Sequence, residues 1–323
     1  MKNAAPVLAL ALCLAVPAFA QNGAPPASVN DSQIEAILRI AAGRGDADAQ
    51  NRLGTMYANG QSVAKDDAEA VSWYRKAADQ GYAAAQINLG GMYATGRGVA
   101  QDDAQAVAWY RKAADQGNVF AQYDLGLMYQ NGRGVARDDA QAANWYRKAA
   151  DQGDASAQFG LGLMYAKGQG VAPDDAQAVN WYRKAADQGN AAAQFGLGLM
   201  YDKGQGVAQD YAQAVDWYRK AADQGSVGAQ INLGMKYGNG LGVARDDAQA
   251  AKWYRKAADQ GEAFAQYGLG LAYAQGRGVA RDNAQAKAWF SKAAAQGYAP
   301  AQDALRSMQA SASGNSKPPR RRK

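Results

Sequence analysis

Residues 49–81 read AQNRLGTMYANGQSVAKDDAEAVSWYRKAADQG, and this frame returns every 36 residues. The Ala-Gln pair recurs at 49, 85, 121, 157, 193, 229 and 265, and again at 301. Trp recurs at 73, 109, 145, 181, 217, 253 and 289, with no insertion or deletion. The shared pattern is AQxxLGxMYxxGxGVAxDxAxAxxWYxKAAxxG, and seven copies fill residues 46–297. Self-similarity at such a period marks a stacked architecture, in which each unit leaves apolar surface that only its neighbours cover.

Each copy holds two helical patterns. In the first copy Ala49, Leu53, Met56, Tyr57 and Gly60 follow the i, i+4, i+7 spacing of one helix face. Gly54 lies beside Leu53, where a missing side chain lets another helix approach closely. The helix stops at Gly60, and a turn leads through Val63; later copies add a second glycine such as Gly98 or Gly134, where the first has Ser62. An aspartate then opens the second helix, at 66, 102, 138, 174, 210, 246 and 282. Its carboxylate accepts from the orphan N–H groups of the first turn, typically worth about 1 kcal/mol. Ala70, Trp73, Tyr74 and Ala77 form the face to be buried, and Gly81 supplies the permissive backbone of a helix C-terminus.

Both ends read as caps. Residues 30–45, moved forward by 36, align with the second helix of copy one, so that Ile37 meets Trp73 and Leu38 meets Tyr74. Residues 298–310, with Ala301, Leu305 and Met308, begin a first helix that runs out before its glycine turn. The Ser-, Gly- and Pro-containing stretch 311–323 cannot bury a core and is expected to be disordered. Residues 1–20 carry Lys2, an apolar run from Pro6 to Val16 and Ala18-Phe19-Ala20, the arrangement of an export signal cleaved after Ala20. Residues 21–29 then form a flexible linker. Leu12 is bulkier than the small residue that usually precedes a lipidated cysteine, so Cys13 is not read as a lipid anchor.

The composition excludes several chemistries. The net charge of +6 is placed at the ends: without Lys2, Lys317, Arg320, Arg321, Arg322 and Lys323, the 35 cations fall to 29, against 29 acids. The repeats are formally neutral, so nucleic acid is not an expected partner. There is no histidine, and the only cysteine is Cys13 in the leader. Disulfides, Cys/His metal sites and nucleophile–histidine pairs are therefore excluded from the repeats, and no cofactor is expected.

The LGxMYxxGxGV segment followed by AxxWYxKAA resembles the Sel1-like repeat family, a relative of tetratricopeptide repeats, over residues 46–297 with half-repeats beyond. The resemblance implies an all-α, right-handed superhelical solenoid and an adaptor or scaffold role in protein complexes. Exported bacterial members of the family are linked to envelope signalling and host interaction. A cysteine-rich subgroup is associated with β-lactam or peptidoglycan-fragment binding, but the cysteine pairs that close its hairpins are absent here. An enzyme of that kind would have to run on Asp, Lys, Ser or Tyr, and no Ser-x-x-Lys pattern recurs. The chain is therefore read as a non-enzymatic, periplasmic or secreted scaffold. Muropeptide or carbohydrate binding on an aromatic ladder stays open as an alternative.

Two recurrent charge patterns have simple readings. The Asp pairs (102-103, 138-139, 174-175, 246-247) read as caps and solvated charge rather than calcium ligands, because the second member becomes Tyr211 and Asn283 without disturbing the period. The Arg-Lys pairs from 75-76 to 255-256 each have an acid one turn later, such as Asp79 or Asp115, and local neutralisation is expected. Function is expected where the copies differ. By analogy with tetratricopeptide hairpins, the groove positions are the equivalents of 48, 51, 52, 55 and 59. Position 51 gives Asn51, Ile87, Tyr123, Phe159, Phe195, Ile231 and Tyr267. Position 55 gives Thr55, Gly91, Leu127, Leu163, Leu199, Met235 and Leu271. Polar residues border this ladder: Arg52, Asn88, Asp124 and Asn232, then Asn59, Asn131, Lys167, Lys203 and Asn239. The asparagines suit a peptide backbone and the two lysines a carboxylate. The alternative is that the ladder only packs neighbouring first helices together. The basic tail is a second contact candidate, toward anionic lipid or cell-wall polymer.

Overall fold

The computed structural model describes residues 31–314. Those residues form sixteen α-helices and no strand. The expected leader and linker lie outside the described residues, as does most of the expected tail. The opening cap is α1 (Asp31–Gly43). The first helices of the copies are α2 (Ala47–Asn59), α4 (Ala83–Thr95), α6 (Val119–Asn131), α8 (Ala155–Lys167), α10 (Ala191–Lys203), α12 (Val227–Asn239) and α14 (Ala263–Gln275). The second helices are α3 (Asp67–Asp79), α5 (Asp103–Asp115), α7 (Asp139–Asp151), α9 (Asp175–Asp187), α11 (Tyr211–Asp223), α13 (Asp247–Asp259) and α15 (Asn283–Ala295). The closing helix α16 (Ala299–Gly314) runs past Ala310, where the tail is expected to begin; no helix breaker stands between Ala310 and Gly314.

The caps follow from residue chemistry. The Asp66 carboxylate accepts from the backbone N–H groups of Ala68 and Glu69, and the equivalent aspartates open each later second helix. Each first helix ends on a left-handed glycine, such as Gly60 at φ 68°, whose N–H returns to the Met56 carbonyl. Inside each hairpin a tyrosine from the second helix presses on the bare backbone of the first. A Cβ on Gly54 would stand 2.7 Å from the Tyr74 ring, and one on Gly126 2.6 Å from Tyr146. The buried Leu53, Ala70 and Ala77 fill the space around that contact.

Three side-chain ladders join one copy to the next. The buried Gln86 donates its amide to the Ala78 carbonyl of the preceding copy (3.2 Å) and accepts from Gln116 of its own (2.8 Å). The same arrangement repeats from Gln50 to Gln266. The glutamine of each Ala-Gln pair is therefore a buried polar group with both ends satisfied.

The second ladder corrects the expected Arg–Asp neutralisation. No Arg75–Asp79 or Arg111–Asp115 ion pair forms among the described residues. Arg39, Arg75, Arg111, Arg147, Arg183, Arg219 and Arg255 instead donate to a tyrosine hydroxyl of the following copy, from Tyr57 to Tyr273. The adjoining lysines lie over indole rings: Lys76 stands 3.7 Å from the Trp73 centroid, and the other six copies match within 4.0 Å. Most of these tryptophans are buried as expected, though Trp73, at the edge of the stack, is only half-buried.

The third ladder revises the second aspartate. Asp67 is not merely solvated; it accepts from Arg97 in the next copy's turn (2.6 Å), and Arg133 and Arg277 hold Asp103 and Asp247 in the same way. The Arg97 guanidinium keeps the Asp67 carboxyl below its ordinary pKa.

Candidate functional site

In the last copy the positions expected to form a groove do share one surface. A depression of about 230 Å³ opens between α12 and α14, floored by α13. It is lined by Phe264, Tyr267, Gly268, Leu271 and Gln275, the equivalents of 48, 51, 52, 55 and 59, together with Met235 and Asn239 one copy earlier. Tyr254 also borders it. Its equivalents Tyr74, Tyr110, Tyr146, Tyr182 and Tyr218 are buried, whereas Tyr254 is half-buried, and two glycines, Gly238 and Gly268, line the same depression. The expectation from sequence missed this tyrosine because it belongs to the constant frame; the paired glycines were the signal.

The apolar ladder is half-buried throughout. Tyr123, Phe159, Phe195 and Tyr267 lean on the second-helix rings Tyr146, Tyr182, Tyr218 and Phe290, with centroids 5.6–5.8 Å apart. Leu127, Leu163, Leu199 and Leu271 pack beside them, and Ile87 and Ile231 continue the row. Phe195 also reaches the next first helix, where a Cβ on Gly228 would meet its ring at 2.8 Å. One edge of the ladder is therefore core, and the other remains accessible.

The polar border divides. Asn88 donates to Asn51 (2.9 Å) and Arg52 stands 3.8 Å from Asp48, so both have local partners. Asn232 lies against the Tyr218 hydroxyl. Lys167 and Lys203 are exposed in the last turns of α8 and α10. Asp124 differs from all of these. It is half-buried, and burial followed by the charge of Asp154 pushes its carboxyl up to about 7. The same carboxylate raises Tyr110, Tyr123 and Tyr146, each already raised by its own burial.

Folding thus raises this carboxyl above its unfolded value of about 3.9. Its contribution to stability is intact below that value and is lost as pH climbs through about 7. Asp124→Asn is expected to be more stable than the parent at pH 8, by about 2 kcal/mol, with the difference nearly gone at pH 4. Urea unfolding at the two pH values measures this.

A second acid on this face is compensated. Asp202 accepts from Lys236 and from the Tyr218 hydroxyl, and Lys236, only 6% exposed, lies 4.2 Å from the Tyr211 ring centroid. Among the described residues no group of acids, histidines or cysteines could hold a metal ion, and no helix is long and apolar enough to cross a membrane.

Comparison with known proteins agrees with this geometry. The Sel1 repeat family model matches seven consecutive segments, 47–82, 83–118, 119–154, 155–190, 191–226, 227–262 and 263–298. A protective antigen present in uropathogenic Escherichia coli strains, displaying an SLR fold, is 43% identical with a TM-score of 0.83; the match covers 86% of this chain and 60% of that one. A Sel1 repeat protein from Oxalobacter formigenes is 40% identical with a TM-score of 0.71, covering 88% of this chain and 83% of the other. The chain thus spans about 60% of the length of the Escherichia coli antigen it matches. No curated protein sequence matches it significantly. With every hairpin matched and the stacking contacts accounted for, the chain belongs to the Sel1 repeat family.

Proposed function

We propose that this protein is an exported, non-enzymatic scaffold that holds a polypeptide partner along the groove formed by its first helices. The half-buried ladder from Ile87 to Tyr267 carries this reading. One edge of each ring is fixed by a second-helix aromatic, and the free edges form an apolar row with polar borders. Such a row suits an extended segment or a helix laid into a groove. Exposed apolar surface continuous over several copies is a liability unless a partner covers it.

Export rests on the leader pattern at residues 1–20, which places the scaffold in the periplasm or outside the cell. The similar Escherichia coli protein is a protective antigen, which fits exposure beyond the cytoplasm. The cations of the terminal stretch, Arg320 to Lys323, are suited to anionic envelope polymers as a second, weaker contact.

The double variant Phe159→Asp/Phe195→Asp is expected to lose capture of the envelope partner at least tenfold, because it puts charge at the centre of the row. Helical circular dichroism should be retained. Binding that survives this change overturns the groove reading.

A further inference from the structure

Asp124 is the acid on the first-helix face that the fold leaves uncompensated. Asp48 has the Tyr82 hydroxyl and Arg52, and Asp202 has Lys236 and the Tyr218 hydroxyl. Asp124 has no hydrogen bond and no ion pair among the described residues, and the charge acting on it is another acid, Asp154. The scaffold does not require an acid there: the equivalent positions hold Arg52, Asn88, Gly160, Gly196, Asn232 and Gly268. Retaining a carboxylate in such surroundings costs free energy unless a counterion arrives.

The surroundings are shaped for a cation. At the equivalent glycines 160, 196 and 268 a Cβ would lie 3.4 Å from the tyrosine ring of the preceding copy. By the repeat, the Asp124 side chain leaves the backbone against Tyr110. Gly91 stands on the other side of Tyr110, where most copies carry Leu, Met or Thr. A Cβ there would come no nearer than 3.8 Å to the Tyr110 hydroxyl, which has no hydrogen-bond partner among the described residues. A half-buried carboxylate without a counterion, next to the half-buried Tyr123 ring, is the recognition chemistry of an ammonium or guanidinium group.

We propose that Asp124, on the first-helix face where the third copy meets the second, is the counterion for a Lys or Arg side chain of the partner polypeptide. This rests on the groove reading and adds to it the charge of the partner segment. The test uses fluorescein-labelled pentalysine, with pentaglutamine as the neutral control, and fluorescence anisotropy at physiological salt. The parent should bind pentalysine in preference to pentaglutamine, and Asp124→Asn should weaken that binding about tenfold. Asp151→Asn removes the same formal charge from an exposed second-helix position and should change it less than twofold. Equal effects of the two substitutions overturn the proposal, as does a parent that does not prefer pentalysine. If Asp124→Asn changes nothing while Phe159→Asp/Phe195→Asp still abolishes partner capture, the cation site falls and the groove stands. If neither variant alters its readout, both fall.

Discussion

Replacing Gly170 by alanine is expected to destabilise the protein by about 3–5 kcal/mol, among the largest effects a single methyl group can have here. Gly170 has φ 68°, and its Cβ would stand 2.0 Å from the carbonyl oxygen of Asp139 in the preceding copy. That oxygen belongs to the first turn of α7, so relief requires moving one hairpin against the next. The same clash exists at Gly98, Gly134, Gly206, Gly242 and Gly278. Gly153→Ala provides the comparison. Its φ is 97°, but nothing lies within 4 Å of the added carbon, so only the backbone term of about 1 kcal/mol applies. Stability in a stacked array is close to a sum of units and nearest-neighbour interfaces. Urea unfolding of Gly170→Ala should therefore split into two transitions as copies one to three uncouple from the rest, while Gly153→Ala keeps the parent's profile. A single transition with unchanged midpoint would mean that the turn is not an inter-repeat contact.

That glycine shows how far the sequence could be read. Its recurrence was plain, and so was its replacement by Ser62 in the first copy, yet its reason was not visible. The contact lies between residues 31 positions apart in different copies, and no local rule relates them. Ser62 adopts φ 61° with only the cap helix before it. Helix ends, the Asp caps and the Gly54 contact were legible because each is decided within one hairpin.

The arginine ladder failed for the complementary reason. Arg75 and Asp79 satisfy the i, i+4 rule, but Tyr93 of the next copy takes the guanidinium. A constant Arg and a constant Tyr 18 residues apart were the available signal. For the groove, periodicity identified which positions vary, and in the last copy they line one depression. It could not say that the ladder is half core, because that depends on rings from the second helices. Nor could it single out Asp124 from Arg52, Asn88 and Asn232, since its isolation depends on what the neighbouring copies lack.

Asp202→Ala is expected to cost about 3–5 kcal/mol, and a second substitution, Lys236→Met, should recover most of it. The pair is an exception to the repeat. The equivalents of Lys236 are Met56, Met92, Met128, Met164, Met200 and Ala272, and the equivalents of Asp202 include Ala58, Ala94, Ala166 and Ala274. The same interface has lost the Arg–Asp contact found elsewhere, with Tyr211 and Leu241 standing where Asp67 and Arg97 stand. Removing Asp202 alone strands the Lys236 ammonium, whose side chain is 8% exposed, against an aromatic ring with no carboxylate. Losing one partner of a buried pair is far costlier than exchanging both for apolar groups of similar volume. Lys236→Met alone should cost only about 1 kcal/mol, because Asp202 keeps the hydrogen bond from the Tyr218 hydroxyl. A double-mutant cycle by urea unfolding isolates the coupling. The double variant should come within about 1 kcal/mol of the parent, since it restores the packing used by the other copies. If it is as unstable as Asp202→Ala, the stranded charge is not the cause, and Asp202 must act through Tyr218 instead.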